Sequence, residues 1–70
     1  MSQEVRQILA KNIQKLRAEK NLKREELSLI MGFDNSYISK LEKGKINITI
    51  DRIDKLAKFF GIETVELLTK

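Results

Sequence analysis

Apolar residues recur at three- and four-residue spacing along most of the chain, which places them on one face of an α-helix. The pattern predicts an all-α protein, a compact five-helix domain that occupies residues 1–70 as a single unit. The predicted helices span residues 3–20, 24–31, 35–43, 50–60 and 64–69. The fourth helix should bury a stripe formed by Ile50, Ile53, Leu56, Ala57 and Phe60, and the fifth presents Val65 and Leu68.

Residues at the ends of these stretches support the bounds. Ser2, Asp34 and Thr49 precede helices and can act as N-caps, and Asn21 can adopt the left-handed conformation that ends the first helix. Residues 46–50 alternate apolar and polar side chains, which is typical of a strand. A lone strand has no partner in this chain, so we interpret the segment as a loop. Three glycines end helical stretches: Gly32, Gly44 and Gly61.

Residues 24–43 have the spacing of two helices joined by a tight turn. Ser28 is small enough to let the second helix cross the first closely. Gly32, four residues later, accepts the positive φ that the turn needs. Ile38 and Leu41 then hold the second helix by its inner face. This pattern is typical of a DNA-reading helix-turn-helix.

With Ile38 and Leu41 inside, the outer face of the second helix is polar and basic. It carries no acid; its members are Asn35, Ser36, Ser39, Lys40 and Lys43. Base edges in the major groove offer acceptors and donors, and phosphates line the groove walls. The composition of this face suits duplex DNA, but taken alone it favours an ordinary solvated helix face. Together with the small residue and the glycine at the turn, and the family register described next, it predicts a surface that contacts duplex DNA.

Several motifs along the chain occur together in one register. They are Asn12-Ile13-x-x-Leu16-Arg17, Glu26-Leu27, Gly32, Tyr37-Ile38-Ser39, Leu41-Glu42, Gly44 and Leu56-Ala57-x-x-Phe60-Gly61. Over roughly residues 8–68 the chain resembles the XRE-type (lambda-repressor-like) helix-turn-helix regulators. The segment Asn47-Ile48-Thr49-Ile50 has a weaker likeness to the controller proteins of restriction-modification operons. The resemblance implies five helices, of which the third enters the major groove.

The resemblance also assigns roles to individual residues. It implies base reading by Asn35, Ser36 and Lys40 with Ser39 close by, backbone contacts by Arg24, Lys43 and Lys45, and a structural ion pair between Arg17 and Glu42. Tyr37 is expected to pack, with its hydroxyl within reach of a phosphate. Lys23 stands where the family usually has Ser or Thr, so the second helix should begin about 1 kcal/mol less stably.

Some apolar residues exceed what the core needs. Leu29 and Ile30 are expected either to be partly buried against a neighbouring helix or to contact a protein partner such as RNA polymerase. A second group lies near the C-terminus and comprises Phe59, Ile62, Val65 and Leu68. We interpret that group as a homodimer interface, with the alternative that Phe59 merely covers the fifth helix.

Charge and composition narrow the remaining possibilities. Fourteen basic residues against ten acidic ones give a net charge of +4, and the excess is partly local, because Lys40, Lys43 and Lys45 face only Glu42 between residues 35 and 50. The chain has no Cys and no His, so we expect no disulfide, metal or cofactor. Nucleophilic and acid–base catalysis lack their usual partners, so we expect no enzyme. No apolar run is long enough to span a membrane and no signal-type segment is present, which predicts a cytoplasmic protein.

The sequence thus predicts a transcriptional regulator that binds specific double-stranded DNA. It should act as a homodimer on a near-palindromic operator. The alternative is an antitoxin-like module that uses the same fold to bind another protein, and the surplus apolar residues are the observation in its favour.

Overall fold

The computed structural model describes residues 2–70, and five helices form within that range, as the sequence predicts. Their bounds are α1 Gln3–Glu19, α2 Arg24–Met31, α3 Tyr37–Glu42, α4 Ile50–Phe60 and α5 Thr64–Leu67. No strand occurs between residues 2 and 70, so the loop interpretation of residues 46–49 is confirmed.

α1 is the central helix, since it packs against both α3 and α5, while α2 packs on α3 and α4 packs on α5. The two helix pairs share one apolar core. Its buried members are Leu9, Ile13, Leu27, Met31, Ile38, Leu41, Ile48, Ile53, Leu56, Ala57 and Leu67. Ile48 comes from the α3–α4 loop, and its burial fixes the middle of that loop to the core.

The helix ends follow the predicted chemistry in α1 and α4. The hydroxyl of Ser2 accepts a hydrogen bond from the Val5 N–H, and the hydroxyl of Thr49 accepts one from Arg52. Asn21 has a left-handed φ of 57°, as predicted, and it follows Lys20, the C-cap residue of α1. At the start of α2 the Glu26 carboxylate accepts a 2.7 Å hydrogen bond from the Lys23 N–H. This bond satisfies one N–H at a position where the Lys23 side chain cannot act as an acceptor.

α3 begins two residues later than predicted, at Tyr37 rather than Asn35. The Tyr37 N–H donates to the carbonyl of Asp34, a turn bond, and the helical pattern starts only with the Lys40 N–H donating to Ser36. Ser36 is therefore the N-cap residue, and the prediction that Asp34 caps α3 was wrong. Asn35 and Ser36 precede the helix instead of lying on it.

Four apolar residues lie differently from the prediction. Ile50 is 78 % exposed because it is the first residue of α4 and points away from the core, so it does not belong to the buried stripe. Leu29 is 79 % exposed, which contradicts the partial burial expected as one of its two alternatives, and Ile30 is 52 % exposed. In α5 the fully buried residue is Leu67, which the sequence pattern did not identify.

The C-terminal end of α5 is held by a polar residue of α1. The Asn12 side-chain amide donates to the carbonyls of Leu67 and Thr69, at 2.8 and 2.9 Å. The helix ends at Leu67 instead of the predicted Thr69, because the Thr69 N–H bonds to the carbonyl three residues back, as in a turn. Asn12 thereby fixes the last turn of the chain against α1.

Candidate DNA-binding surface

The junction of α2 and α3 is fixed by a buried polar contact. Ser28 is fully buried, and its hydroxyl accepts a 3.1 Å hydrogen bond from the Ile38 N–H in the first turn of α3. Sequence reasoning identified Ser28 only by its small size and missed this bond. The first N–H groups of a helix have no partner within it, so the bond satisfies a donor that burial would otherwise leave unpaired.

Gly32 makes the turn possible through its backbone rather than through its lack of volume. Its φ is 76°, in the left-handed region, and a Cβ placed there would meet only the end of the Lys55 side chain at 3.9 Å. The next residue, Phe33, donates its N–H to the Ser28 carbonyl at 2.8 Å. The turn therefore needs glycine for conformation, as predicted.

Glu42 lies at the centre of an ion-pair network that joins three helices. Its carboxylate accepts two hydrogen bonds from Arg17, at 2.6 and 3.1 Å, which is the bidentate arrangement. It also accepts a 3.0 Å bond from Arg24 at the start of α2. The Glu42 side chain is 4 % exposed, and the third donor of Arg17 bonds to the Leu22 carbonyl at 2.7 Å. The network therefore fixes the end of α3 to α1 and α2.

Arg24 was missed as a member of this network, because eighteen residues separate it from Glu42 and no local pattern indicates the contact. About half of its side chain stays exposed. It lines one groove together with Asn35 and Ser39, and the acidic Glu25 lies at the same groove. The structure thus brings together three predicted DNA-contacting residues from α2 and from the start of α3.

The outer face of α3 and its flanks presents polar groups to solvent. Asn35, Ser36 and Lys40 are exposed, and within residues 2–70 none of their side chains hydrogen-bonds to another protein group. Ser39 is half-buried between them. Lys43 and Lys45 are exposed on either side of Gly44, whose φ of 70° turns the chain after α3. Donors and acceptors on this face are thus available to a ligand.

Tyr37 packs, as expected for most of its surface. Its half-buried ring lies 4.7 Å from the ring of Phe33 at a tilt of 55°. The guanidinium of Arg52, in the first turn of α4, lies 4.7 Å from each of the two ring centres. Sequence reasoning did not select Arg52, since only the fold brings it to these rings.

The predicted interface near the C-terminus divides into covered and exposed members. Phe59, Ile62 and Leu68 are half-buried against the core, and Val65 is 66 % exposed. Phe59 meets Phe60 edge to face at 5.1 Å, and the Lys20 ammonium lies 5.4 Å above its ring. All four keep some exposed surface in the segment near the C-terminal end of the chain.

One carboxyl group near this end has a shifted pKa. The Thr64 hydroxyl donates a 2.7 Å hydrogen bond to Asp54, and the Lys58 ammonium lies 3.4 Å from the other carboxylate oxygen. Both contacts favour the ionised form, so they lower the pKa of Asp54 below its ordinary 3.8. The hydrogen bond joins the fifth residue of α4 to the first residue of α5.

Within residues 2–70 no helix has the length and apolar character needed to cross a membrane. The same part of the chain contains no cluster of acidic, His or Cys side chains with the geometry of a metal site.

Comparison with known proteins supports a regulatory role. The family described as "Helix-turn-helix" matches residues 13–67. The chain is 38 % identical over 66 residues to an uncharacterized HTH-type transcriptional regulator, y4dJ, of Sinorhizobium fredii, covering 94 % of this chain and 86 % of that protein. These matches place the chain among non-enzymatic regulators.

Two crystal structures resemble the fold over most of its length. A hypothetical transcription factor from Neisseria, NHTF, superposes with a TM-score of 0.87 at 32 % identity, over 97 % of this chain and 79 % of that one. The restriction-modification controller protein C.AhdI of Aeromonas hydrophila gives a TM-score of 0.79 at 34 % identity, over 89 % and 94 % of the two chains. The predicted fold and both family likenesses are confirmed. The chain belongs to the XRE-type helix-turn-helix family of DNA-binding transcriptional regulators.

Proposed function

We propose that the protein binds a specific, near-palindromic operator as a homodimer, with α3 in the major groove. The observation that carries this proposal is the α3 surface: a helix fixed from behind by Ser28 and Glu42 and lined in front by polar side chains with no protein partner within residues 2–70. A fixed helix with unused donors and acceptors suits direct reading of base edges.

The proposed contacts divide by chemistry. Asn35, Ser36 and Lys40 would read bases, with Ser39 at the edge of the contact, since Asn pairs with adenine and Lys donates to guanine. Cationic side chains and one hydroxyl around that face would contact phosphates: Arg24, Tyr37, Lys43 and Lys45. Phosphate contacts supply affinity for any sequence, and base contacts supply the preference for one.

A homodimer would present two α3 helices to successive major grooves, about 34 Å apart. We propose that the apolar surface of Phe59, Ile62, Val65 and Leu68 forms the two-fold interface. Sedimentation of Phe59→Ala tests this surface, and Leu29→Ala, which removes an exposed apolar side chain elsewhere, is the matched control. A Phe59→Ala protein that remains dimeric at low micromolar concentration contradicts the assignment. We further infer that the protein acts in the cytoplasm, where bacterial operators are found.

Selection of binding sites from a random duplex pool tests the main proposal. We expect a near-palindromic consensus with half-sites about one helical turn apart. Lys40→Ala should relax the preference at one base pair, whereas Lys45→Ala should weaken binding to all sequences and reduce the salt dependence. If no sequence is enriched at moderate salt, the proposal of specific DNA binding is contradicted. If the Lys40→Ala protein selects the same consensus as the wild type, the assignment of Lys40 as a base-reading residue is contradicted.

A second candidate function rests on the exposure of Leu29 and Ile30 at the surface of α2. Two adjacent exposed apolar side chains suit contact with a protein partner, such as RNA polymerase at a promoter or the toxin partner of an antitoxin. Changing both to Gln tests this candidate. We expect transcription from a reporter to change while operator affinity stays the same. An unchanged reporter would exclude the polymerase contact, and wild-type binding of a stoichiometric protein partner would exclude the antitoxin-like contact.

A further inference from the structure

Arg52 is held in place by two aromatic rings from another part of the fold. Its guanidinium carbon lies 4.7 Å from the ring centres of both Phe33 and Tyr37, which are themselves 4.7 Å apart. Phe33 belongs to the α2–α3 turn and Tyr37 is the first residue of α3. A guanidinium that stacks on aromatic faces loses much of its freedom of rotation before it meets any ligand.

The hydrogen-bonding edges of this guanidinium are unused. Within residues 2–70 its side chain forms no ion pair and donates no hydrogen bond, and the residue is exposed. Arg17, in contrast, donates two hydrogen bonds to Glu42 and one to the Leu22 carbonyl. Stacking occupies only the faces of a guanidinium, so the five N–H donors in its plane remain available. Such an arrangement suits bidentate binding of a phosphate or carboxylate.

The neighbouring charges single out Arg52 within its cluster. Lys55 also approaches the Phe33 ring, at 5.7 Å, but its ammonium donates a 2.6 Å hydrogen bond to the Met31 carbonyl. Asp51 precedes Arg52 in the first turn of α4 and is exposed, without forming an ion pair with it within the described residues. Arg52 is therefore the cation of this cluster whose donors have no protein acceptor.

We propose that Arg52 binds a backbone phosphate of the operator, and that Phe33 acts as a positioning residue by holding its guanidinium. This inference rests on the proposed function, since it places a duplex against α3. The ligand follows from location: Arg52 touches the first residue of α3, next to Asn35 and Ser36, and phosphates are the anions that flank a helix in the major groove. Arg52 thereby extends the DNA-binding surface from α2 and α3 onto α4.

Titration of operator DNA and of an unrelated duplex at several salt concentrations tests the proposal. Arg52→Gln should weaken binding to both duplexes about tenfold and reduce the slope of log affinity against log salt by about one per contact. Arg52→Lys keeps the charge without the planar fork, so its DNA affinity should lie between those of the wild type and Arg52→Gln. Lys58→Gln removes one charge from the same helix at a residue paired with Asp54, and it should leave affinity and slope near wild type.

Phe33→Leu distinguishes a role of the ring in positioning the Arg52 guanidinium from a role in the stability of the fold. It should weaken DNA binding several-fold in the wild-type background and have no further effect in the Arg52→Gln background. A purely structural role of the ring would instead lower the melting temperature by the same amount in both backgrounds and leave the salt slope unchanged, which would overturn the positioning role.

The outcomes also separate this inference from the proposed function. A wild-type protein that binds no DNA overturns both. A wild-type protein that binds DNA, with Arg52→Gln indistinguishable from Lys58→Gln, overturns only the assignment of Arg52. If Arg52→Gln does not fold, Arg52→Lys carries the same comparison.

Discussion

The α2–α3 and α4–α5 pairs have the same construction, but different contacts hold them. Each pair turns at a left-handed glycine, Gly32 or Gly61, with φ near 76° and 72°. In each, the fifth residue of the first helix bonds to the start of the second helix ten residues later. In the first pair that residue is the fully buried Ser28, and in the second it is the half-exposed Asp54.

The difference between the buried Ser28 contact and the half-exposed Asp54 contact corresponds to the position of each helix pair relative to the proposed DNA-binding surface. α3 has six residues, too few to be stable alone, and its outer face is not available for packing if it contacts DNA. Directional contacts from Ser28 and Glu42 therefore add to the burial of Ile38 and Leu41 in setting its orientation. The α4–α5 pair depends on apolar burial centred on Leu67, with the Asp54 bond at its surface. Apolar burial stabilises without fixing an angle, whereas hydrogen bonds fix direction.

The substitution with the largest expected effect tests the apolar burial that holds the α4–α5 pair. Leu67→Ala removes a fully buried side chain from a four-residue helix and should lower the free energy of unfolding by about 3 kcal/mol. Glu66→Ala, in the same helix but exposed and without a side-chain hydrogen bond, should change it by less than about 0.5 kcal/mol. Urea denaturation measures both. Equal losses would show that α5 contributes little to the core.

Glu42→Gln tests the ion-pair network that helps to hold the α2–α3 pair. It should lower the free energy of unfolding by about 2–3 kcal/mol, because Arg17 stays mostly buried beside a neutral group, while the half-exposed Arg24 limits the loss. The control is Glu4→Gln, whose pair with Lys70 is exposed and 4.0 Å long, and which should change little. Loss of DNA binding with unchanged stability would instead assign Glu42 a direct role at the DNA.

Ser28→Ala should lower the free energy of unfolding by about 1–2 kcal/mol, since it leaves the Ile38 N–H buried without an acceptor. Ser36→Ala is the matched control: Ser36 is the N-cap residue of α3, but its hydroxyl makes no capping bond, so we expect a loss below about 0.5 kcal/mol. The reverse order in thermal melting would show that α3 is capped locally and not from α2.

The smallest effect concerns Asp54 and pH. Its pKa is lowered in the folded protein by Thr64 and then by Lys58, so its ionised form stabilises the fold above about pH 4, and this contribution is lost as pH falls through the lowered value. Asp54→Asn should therefore melt slightly below wild type at pH 7, and the difference should shrink at pH 3. A difference that persists at pH 3 would contradict this linkage.

Apolar spacing predicted α2 and α4 with their observed bounds and α1 to within one residue, because one buried face determines each helix. It could not place the first turn of α3, where the chain uses the carbonyl of Asp34 rather than its side chain. Nor could it tell that Ile50, at the same spacing as its buried neighbours, points outward at the helix start.

The supporting contacts of the candidate site were harder to predict than its surface. Most of the proposed surface is continuous in sequence, so the helix-turn-helix spacing and the family resemblance indicate it between residues 35 and 45, with Arg24 outside that segment. Ser28 with Ile38, Arg24 with Glu42, and Arg52 with Tyr37 are pairs that only the tertiary fold brings together. The Arg17–Glu42 contact was expected only through the family resemblance.

The outer face of α3 also determines how this protein can change over generations. The side chains of Asn35, Ser36 and Lys40 hydrogen-bond to no protein group within residues 2–70, so each can be replaced without disturbing the fold. Glu42, in contrast, cannot be replaced so freely, because a mutation there removes the ion-pair partner of both Arg17 and Arg24. Under the proposed base reading, new operator preferences can thus arise by single substitutions on the outer side of α3 and just before it, while the inner side must change in concert or remain as it is.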